Sequence, residues 1–491
     1  MKLTAREAKF DFTVRDTLAL FLSEDFALKK GAGIPDQISH ITSTANLGFF
    51  RAKSGESLFL PLSDQPSLIF AGLGKADEIS RESLRNAAAG IIDICRKKKI
   101  STLHVLLPQP EGHDEKEVLS ALAEGMYLGN YGFDRYKTRP DDIDLPLDTV
   151  NFYVTGTPGA ARILHETAIV CSNTLLCRDL INETSERANP ASIAAEAKKL
   201  AGMKGVSCTV LGHRELEKLG MGLLLAVGRA GQHPPRMAIL RYRGNSRSKK
   251  SLAIVGKGIT FDSGGLNLKP SGHIEDMRSD MAGAAACIYT IKAAAELGLK
   301  KNLYAVIPLC ENMVAGNSYR PGDVYRAFNG ITVEIGNTDA EGRLILADAL
   351  AYTEKRLKPD FIIDIATLTG ACLVCFGEII AGLLSPSDEL AEAVRKAGEE
   401  TGERVWRLPL YKDYAEDLKS DMADMSNVSS TRNAGTIIGA TFLNAFVEST
   451  PWAHIDIAGT SWGSKQRGYR PKNATGYGVR LFIEVIKTLA I

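Results

Sequence analysis

Asn337-Thr338-Asp339-Ala340-Glu341-Gly342-Arg343-Leu344 places two acids, an arginine and a glycine within eight residues. The run Ile331 to Ile335 before it reads as a strand, and Leu344 to Leu357 after it sets Ile345, Ala349 and Tyr352 at helical spacing. The octapeptide therefore lies where a strand ends and a helix begins, the position at which α/β folds build their sites. Asp339 and Glu341 are two residues apart, so an extended backbone turns both carboxylates to one face. Two such charges repel unless a cation joins them.

Upstream, the apolar run Leu252 to Val255 reads as a buried strand. Gly256-Lys257-Gly258-Ile259-Thr260-Phe261-Asp262-Ser263-Gly264-Gly265 follows, then Asn267, Lys269 and Pro270, with a polar loop continuing through Asp276 and Asp280. A helix starts only at Met281, through the small residues Ala282 to Ala286. Loops of that length inside a compact domain are uncommon and usually functional. Asp262, Asp280, Asp339 and Glu341 together offer four negative charges, which match two divalent cations. Oxygen donors suit Mg²⁺, Mn²⁺ or Zn²⁺, and no cysteine stands near them in sequence to favour a thiolate site. Lys257 could ligate only as a neutral amine, against a reference pKa of ~10.4, so a metal would have to displace its proton.

With these residues in place the chain resembles the leucyl aminopeptidase (cytosol aminopeptidase) family of dizinc or dimanganese exopeptidases. The octapeptide matches that family's signature completely. The likeness runs over roughly residues 160 to 491 and includes Glu311 to Asp323, Ile363 to Cys372 and Trp452 to Trp462. The first 150 residues resemble the family only loosely. Arg278 stands two before Asp280 where lysine is more usual, and Thr184 follows Asn182-Glu183 where proline is common. Neither departure touches a proposed ligand.

The resemblance implies an α/β fold with two α/β domains: a smaller, macro-like N-terminal domain and a larger C-terminal dimetal exopeptidase domain with a central mixed sheet. It implies that Lys257, Asp262, Asp280, Asp339 and Glu341 ligate two Mn²⁺ or Zn²⁺ ions. Asp262 and Glu341 would bridge them, Lys257 and Asp280 would serve the more exchangeable ion, and Asp339 the other. Lys269 would polarise the scissile carbonyl, and Arg343 would hold a bicarbonate ion acting as general base. The last role agrees with the residues themselves, since an anion beside a guanidinium at a helix N-terminus is favoured twice. The implied reaction releases N-terminal amino acids, leucine and others, by attack of a bridging hydroxide on peptides with a free α-amine. The family also implies a homohexamer, a dimer of trimers whose sites face an interior cavity. The competing reading is a catalytically idle member that serves as a binding or assembly protein.

Composition is compatible with that expectation. The chain has 491 residues, 45% hydrophobic and 24% charged, enough for two or more domains with cores of their own. A net charge of +1 gives no global field that would point to nucleic acid or an anionic membrane. The basic tetrad Arg96 to Lys99 reads as a solvated helix end. The first thirty residues mix charges throughout, with no apolar core for an export signal, so a cytoplasmic location is expected. The apolar stretch Phe361 to Leu384 is interrupted by Asp364, Gly370, Gly377 and Glu378, and reads as a buried strand followed by loop or helix. Of the eight cysteines, only Cys372 and Cys375 form a Cys-x-x-Cys pair, expected to be inert in a reduced compartment.

Other motif readings fail on their context. Asp262-Ser263-Gly264-Gly265 echoes a serine-protease nucleophile segment, but no matching histidine segment lies upstream. Gly256-Lys257-Gly258 lacks the leading glycine and the hydroxyl residue of a phosphate loop, and Phe261 occupies the third glycine of a dinucleotide fingerprint. His273 and His454 receive no role.

Alternation of elements organises the chain. Ser67 to Phe70, Leu103 to Leu107 and Val150 to Val154 read as strands, with helices over Glu82 to Cys95 and Glu115 to Leu128. The expected divisions are residues 1–158 as the N-terminal α/β domain, 159–183 as a linker helix and 184–491 as the catalytic domain. Within the last, strands are expected near Leu252, over Leu303 to Leu309, Ile331 to Ile335, Phe361 to Ile365 and Ala453 to Ile457, with helices from Met281, Leu344 and Thr436.

Overall fold

The computed structural model describes residues 1–7, 13, 15–25, 50–63, 66–139, 145–431 and 433–491. The export-signal reading of the first thirty residues falls in part on residues 8–12, 14 and 26–30, which lie outside the described set. Two compact units emerge: Met1–Ser172 with Ser464–Lys472, and Asn173–Gly463 with Asn473–Ile491. The division falls within the helix Ala160–Asn182, which has the extent its sequence suggests.

Among the described residues the first unit is built on six strands: β1 (Lys2–Glu7), β2 (Thr17–Ser23), β3 (Ser57–Leu60), β4 (Ser67–Gly74), β5 (Thr102–Leu106) and β6 (Thr149–Val154). They lie in the order β1-β6-β5-β2-β4-β3, parallel except for the β3–β4 pair. β2 is buried along almost its whole length, as central parallel strands are. Sequence patterning found β4, β5 and β6 but not the first three strands. The helices Arg81–Lys97 and Glu115–Gly129 begin at Ser80 and Asp114, whose side chains accept from Ser83 N and Glu117 N. Ile69, Ile91, Leu103, Leu122 and Phe152 are fully buried in the resulting core. Arg96 and Lys97 occupy the last turn of their helix, where a positive charge meets the dipole favourably, and Lys97 to Lys99 face solvent.

The second unit carries a nine-stranded mixed sheet in the order β16-β15-β18-β14-β9-β11-β8-β7, with β10 paired to β11. Its strands are β7 (Val206–Leu211), β8 (Arg236–Arg243), β9 (Leu252–Gly256), β10 (Gly258–Asp262), β11 (Asn302–Asn312), β14 (Phe361–Ala366), β15 (Ala381–Leu384), β16 (Val405–Arg407) and β18 (Trp452–Asp456). The central strands β18, β14, β9 and β11 run parallel. Helices Ala282–Glu296 and Glu341–Tyr352 are buried on almost every face, which is why their residues are small or aliphatic. No helix among the described residues is long and apolar enough to cross a membrane. Phe361 to Leu384 resolves into β14, a short helix Gly370–Phe376 and β15.

Two sequence expectations need correction. The strand before the octapeptide is only β13 (Thr332–Glu334), and it belongs to a separate three-stranded sheet with β12 (Val324–Arg326) and β17 (Met425–Ser426). β12 precedes it by a short turn while β17 comes from far along the chain, so its own pattern does not mark it as outside the main sheet. The stretch after Gly256 is not all loop: β10 resumes the sheet before the chain leaves at Ser263.

Candidate metal site

β9 and β10 pair in succession with the same edge of β11, and Lys257 occupies the break between them. Its backbone turns aside to β14 and to the helix Ala282–Glu296: Lys257 N donates to Ile365 O at 3.1 Å, and Ala284 N donates to Lys257 O at 2.9 Å. The side chain is thereby aimed inward and fully enclosed. At Gly342 a Cβ would lie 2.5 Å from Lys257 Cε and 2.7 Å from Nζ, so a side chain there would have to displace the end of Lys257. Asp262 ends β10. Asp280 follows the short 3-10 turn Met277–Ser279, directly before the helix Ala282–Glu296. Glu341 is the first residue of its helix, where the backbone dipole favours an anion.

These residues converge although up to 84 positions separate them. Oxygens of Asp262, Asp280 and Glu341 lie within 4.8 Å of one another, and all three residues are buried. Lys257 Nζ lies 2.8 Å from Asp280 Oδ1, 3.0 Å from Glu341 Oε1 and 2.7 Å from Thr367 O. Lys269 Nζ stands 2.9 Å from Asp262 Oδ2 and 2.6 Å from Asp339 Oδ1. Asp339 is the most open of the four acids, with a side chain 32% exposed. Arg343 points elsewhere. Its NH1 donates to Asn427 O at 2.7 Å, while its buried Nε has no partner among the described residues.

The electrostatics are those of a site with too much negative charge. Burial, and then the charge of Glu341, push the Asp262 carboxyl up to about 6. Burial pushes Asp280 up to about 8 against the pull of Lys257. Burial alone would lower Lys257 and Lys269, yet the surrounding carboxylates outweigh it and hold both ammonium groups above the usual lysine range. Burial brings Arg343 down to about 10, still a cation at neutral pH. Two lysines thus face four carboxyls. Asp280 Oδ2 and Glu341 Oε2 are buried with no hydrogen-bond donor among the described residues. A buried carboxylate oxygen without a partner is costly, and a divalent cation supplies what these lack. The donor set, all oxygen apart from a lysine amine, fits such an ion.

Several supporting residues escaped the sequence reading. Asn312, at the end of β11, donates from Nδ2 to Asp262 Oδ1 at 2.8 Å and to Thr338 O at 3.0 Å. Thr367 Oγ1 donates to Asp280 Oδ1 at 2.6 Å. Asn427 Nδ2 donates to Asn337 O at 2.7 Å and its Oδ1 accepts from Gly336 N at 2.8 Å, steadying the approach to the octapeptide. Asn312 and Thr367 lie in sequence blocks noted above, but nothing local distinguishes them from ordinary strand-end residues.

The rejected motifs are resolved as well. Ser263 Oγ is buried and donates to Asn312 O at 2.8 Å, a turn-forming role. Cys372 is buried with its thiol pushed well above the usual range, donating to Asp456 O at 3.4 Å, while Cys375 is exposed. His454 is a core residue against Asp364, Nδ1 to Oδ1 2.6 Å, and His273 is exposed in a loop.

Comparison with known proteins meets this geometry. Residues 175–483 match the model of the cytosol aminopeptidase family, catalytic domain, and residues 19–140 match that family's N-terminal domain. The chain is 43% identical over 457 residues to the probable cytosol aminopeptidase of Protochlamydia amoebophila, covering 92% of this chain and 91% of that one. It is 40% identical over 476 residues to the probable cytosol aminopeptidase of Trichormus variabilis, with 96% of each chain covered. Among solved structures it is similar to the bottromycin maturation enzyme BotP in complex with Mn, with a TM-score of 0.86, 34% identity, and 97% of this chain and all of that one covered. The chain belongs to the cytosol aminopeptidase family.

Proposed function

We propose that the chain is a metal-dependent aminopeptidase that releases N-terminal residues, leucine among them, from peptides with a free α-amine. The observation that carries this reading is the buried cluster of Asp262, Asp280 and Glu341, two of whose oxygens lack donors among the described residues, beside the ammonium of Lys269. Lys257, Asp262, Asp280, Asp339 and Glu341 would hold two divalent ions, Mn²⁺ or Zn²⁺. When bound, such ions lower the pKa of a water between them and polarise a carbonyl.

The chain's own groups do the rest. Lys269, held by Asp262 and Asp339, is a charged donor beside the carboxylates, suited to an oxyanion that forms at the scissile carbonyl. Arg343, near a helix N-terminus, keeps an Nε that has no partner among the described residues, a setting for the bicarbonate that would accept the attacking water's proton. Carboxylates flanking the substrate's α-amine favour the unblocked terminus, which makes the reaction an exopeptidase one. The family resemblance supports the leucine preference, a cytoplasmic location and a homohexamer.

Purified protein loaded with Mn²⁺ or Zn²⁺ should bind two ions per subunit, hydrolyse a leucyl anilide and lose activity on chelation. The N-acetylated anilide should be inert. Equal rates on blocked and free substrates would refute the exopeptidase reading, and a metal-loaded protein without peptidase activity would favour the idle, binding member. Sedimentation of the active species at the mass of a 53.1 kDa monomer would refute the hexamer.

A further inference from the structure

The loop from Ser263 to Lys269 carries the proposed electrophile, yet it contains no regular element. Its shape is fixed from outside, by the residue between Asn337 and Asp339. Thr338 is fully buried. Its Oγ1 donates to Gly264 O at 2.7 Å and accepts from Asn267 N at 2.9 Å. Its backbone N donates to Asn267 Oδ1 at 2.9 Å. Its carbonyl accepts from Asn312 Nδ2 at 3.0 Å and from Tyr319 Oη at 2.7 Å, so the latch is itself anchored to the sheet side of the site. Two residues past Asn267, Lys269 N donates to Ser263 O at 2.9 Å and closes the loop on itself. Gly264 adopts φ +85, and a Cβ there would meet Asn267 O at 2.5 Å, so the loop is wound too tightly for a side chain at that point.

We propose that Thr338 is a positioning residue: its hydroxyl and amide latch the Gly264–Asn267 turn and thereby set where Lys269 stands over Asp262 and Asp339. The inference rests on the reading of Lys269 given above and adds to it the device that places it. One hydroxyl joins two loop groups, and the same peptide unit continues into Asp339, which Lys269 touches. Displacement of a catalytic group by about 1 Å can cost on the order of 100-fold in rate. The latch acts on placement and leaves the carboxylates in number and charge as they are.

Thr338→Val keeps the shape and removes the hydroxyl, whereas Thr338→Ser keeps the hydroxyl. On protein freed of metal by chelation, amide exchange over residues 264–269 should accelerate in the Val variant and stay near wild type in the Ser variant, with residues 277–282 unchanged in both. On Mn²⁺-loaded protein, Thr338→Val should lose roughly 10- to 100-fold in kcat with little change in KM or in Mn²⁺ affinity, and Thr338→Ser should recover most of it. Asn267→Ala, at an exposed position, approaches the latch from the loop side and should shift exchange and kcat in the same direction by less. Unchanged exchange over 264–269 in both Thr338→Val and Asn267→Ala would overturn the latch. So would a kcat loss matched by lost Mn²⁺ affinity, which would place the effect at Asp339 instead. Failure of the wild-type protein to hydrolyse peptides would sink the function reading separately, and the exchange measurement would still decide the latch.

Discussion

One helix, Glu341–Tyr352, carries two buried carboxylates, and their surroundings are opposites. Asp348, two turns on from Glu341, is fully enclosed, and both its oxygens are occupied: Oδ2 accepts from Leu223 N at 3.0 Å and Leu224 N at 2.9 Å, and Oδ1 from Phe328 N at 2.8 Å. It ties the start of the helix Gly222–Gly228 and the Phe328 turn to the helix that bears the site. Glu341 meets two lysines' fields and three other acids, and its Oε2 has no donor among the described residues. Burial and a perturbed pKa are common to both ends of the comparison, so neither identifies a site. What separates them, among the described residues, is acceptor capacity left open beside like charges, which a further cation would satisfy.

The sharpest way to break the comparison is to remove one acid from each end. Glu341→Ala should cut kcat/KM by roughly 10³-fold or more and lower metal stoichiometry. Near-normal turnover with both ions bound would show that Glu341 is no ligand.

Lys269→Ala is expected next, with kcat reduced by about 10²- to 10³-fold and KM moved less, since the charge it stabilises arises mainly in the transition state. Arg343→Ala should retain more activity and lose its response to added bicarbonate. If Arg343→Ala is the more damaged of the two, or stays responsive to bicarbonate, the two roles are misassigned.

Two turns along the helix, Asp348→Ala strips two buried N–H groups and one part-buried one of their acceptor, each buried one worth about 1–3 kcal/mol when left unpaired. Urea unfolding should show a loss of several kcal/mol, while metal affinity per folded molecule stays constant. A stable Asp348→Ala protein with weakened metal binding would erase the distinction drawn here.

The smallest effect is on pH dependence. Burial pushes Asp348 up to about 7 against its three backbone donors, whereas an unfolded aspartate titrates near ~3.9. Between those values the native state holds a proton that the unfolded state has released. Stability therefore falls as pH rises through that window, by up to about 1.4 kcal/mol per pH unit from this group. The contribution is complete below the unfolded value and gone above about 7. Asp348→Asn should flatten that part of the stability curve measured from pH 4 to 7. An unchanged slope would assign it to other groups.

Much of this was readable from the chain, and the failures are specific. Periodicity located the helix Ala160–Asn182 and the strands around Leu103, Val150 and Leu252, because each has its own hydrophobic pattern. It missed β1 to β3, and it found the strand at β13 without revealing that it belongs to a small sheet completed by β17 from far along the chain. Asn312 and Thr367 were invisible for the same reason, reaching Asp262 and Asp280 across 50 and 87 residues.

The order of residues alone picks out which acids and lysines could form a site, because the spacing of Asp339 and Glu341 and the octapeptide around them are local properties of the chain. It also determined the family, through blocks of residues that appear in order. Folding in three dimensions is what makes the acids outnumber the cations around them, leaves two oxygens without donors among the described residues, and sets Thr338 against the Lys269 loop. Those facts depend on how β9, β10, β11 and β14 align and where the helix Glu341–Tyr352 docks. Electrostatic excess and hydrogen-bond closure are sums over neighbours in space, and the neighbours here are tens of residues apart along the chain.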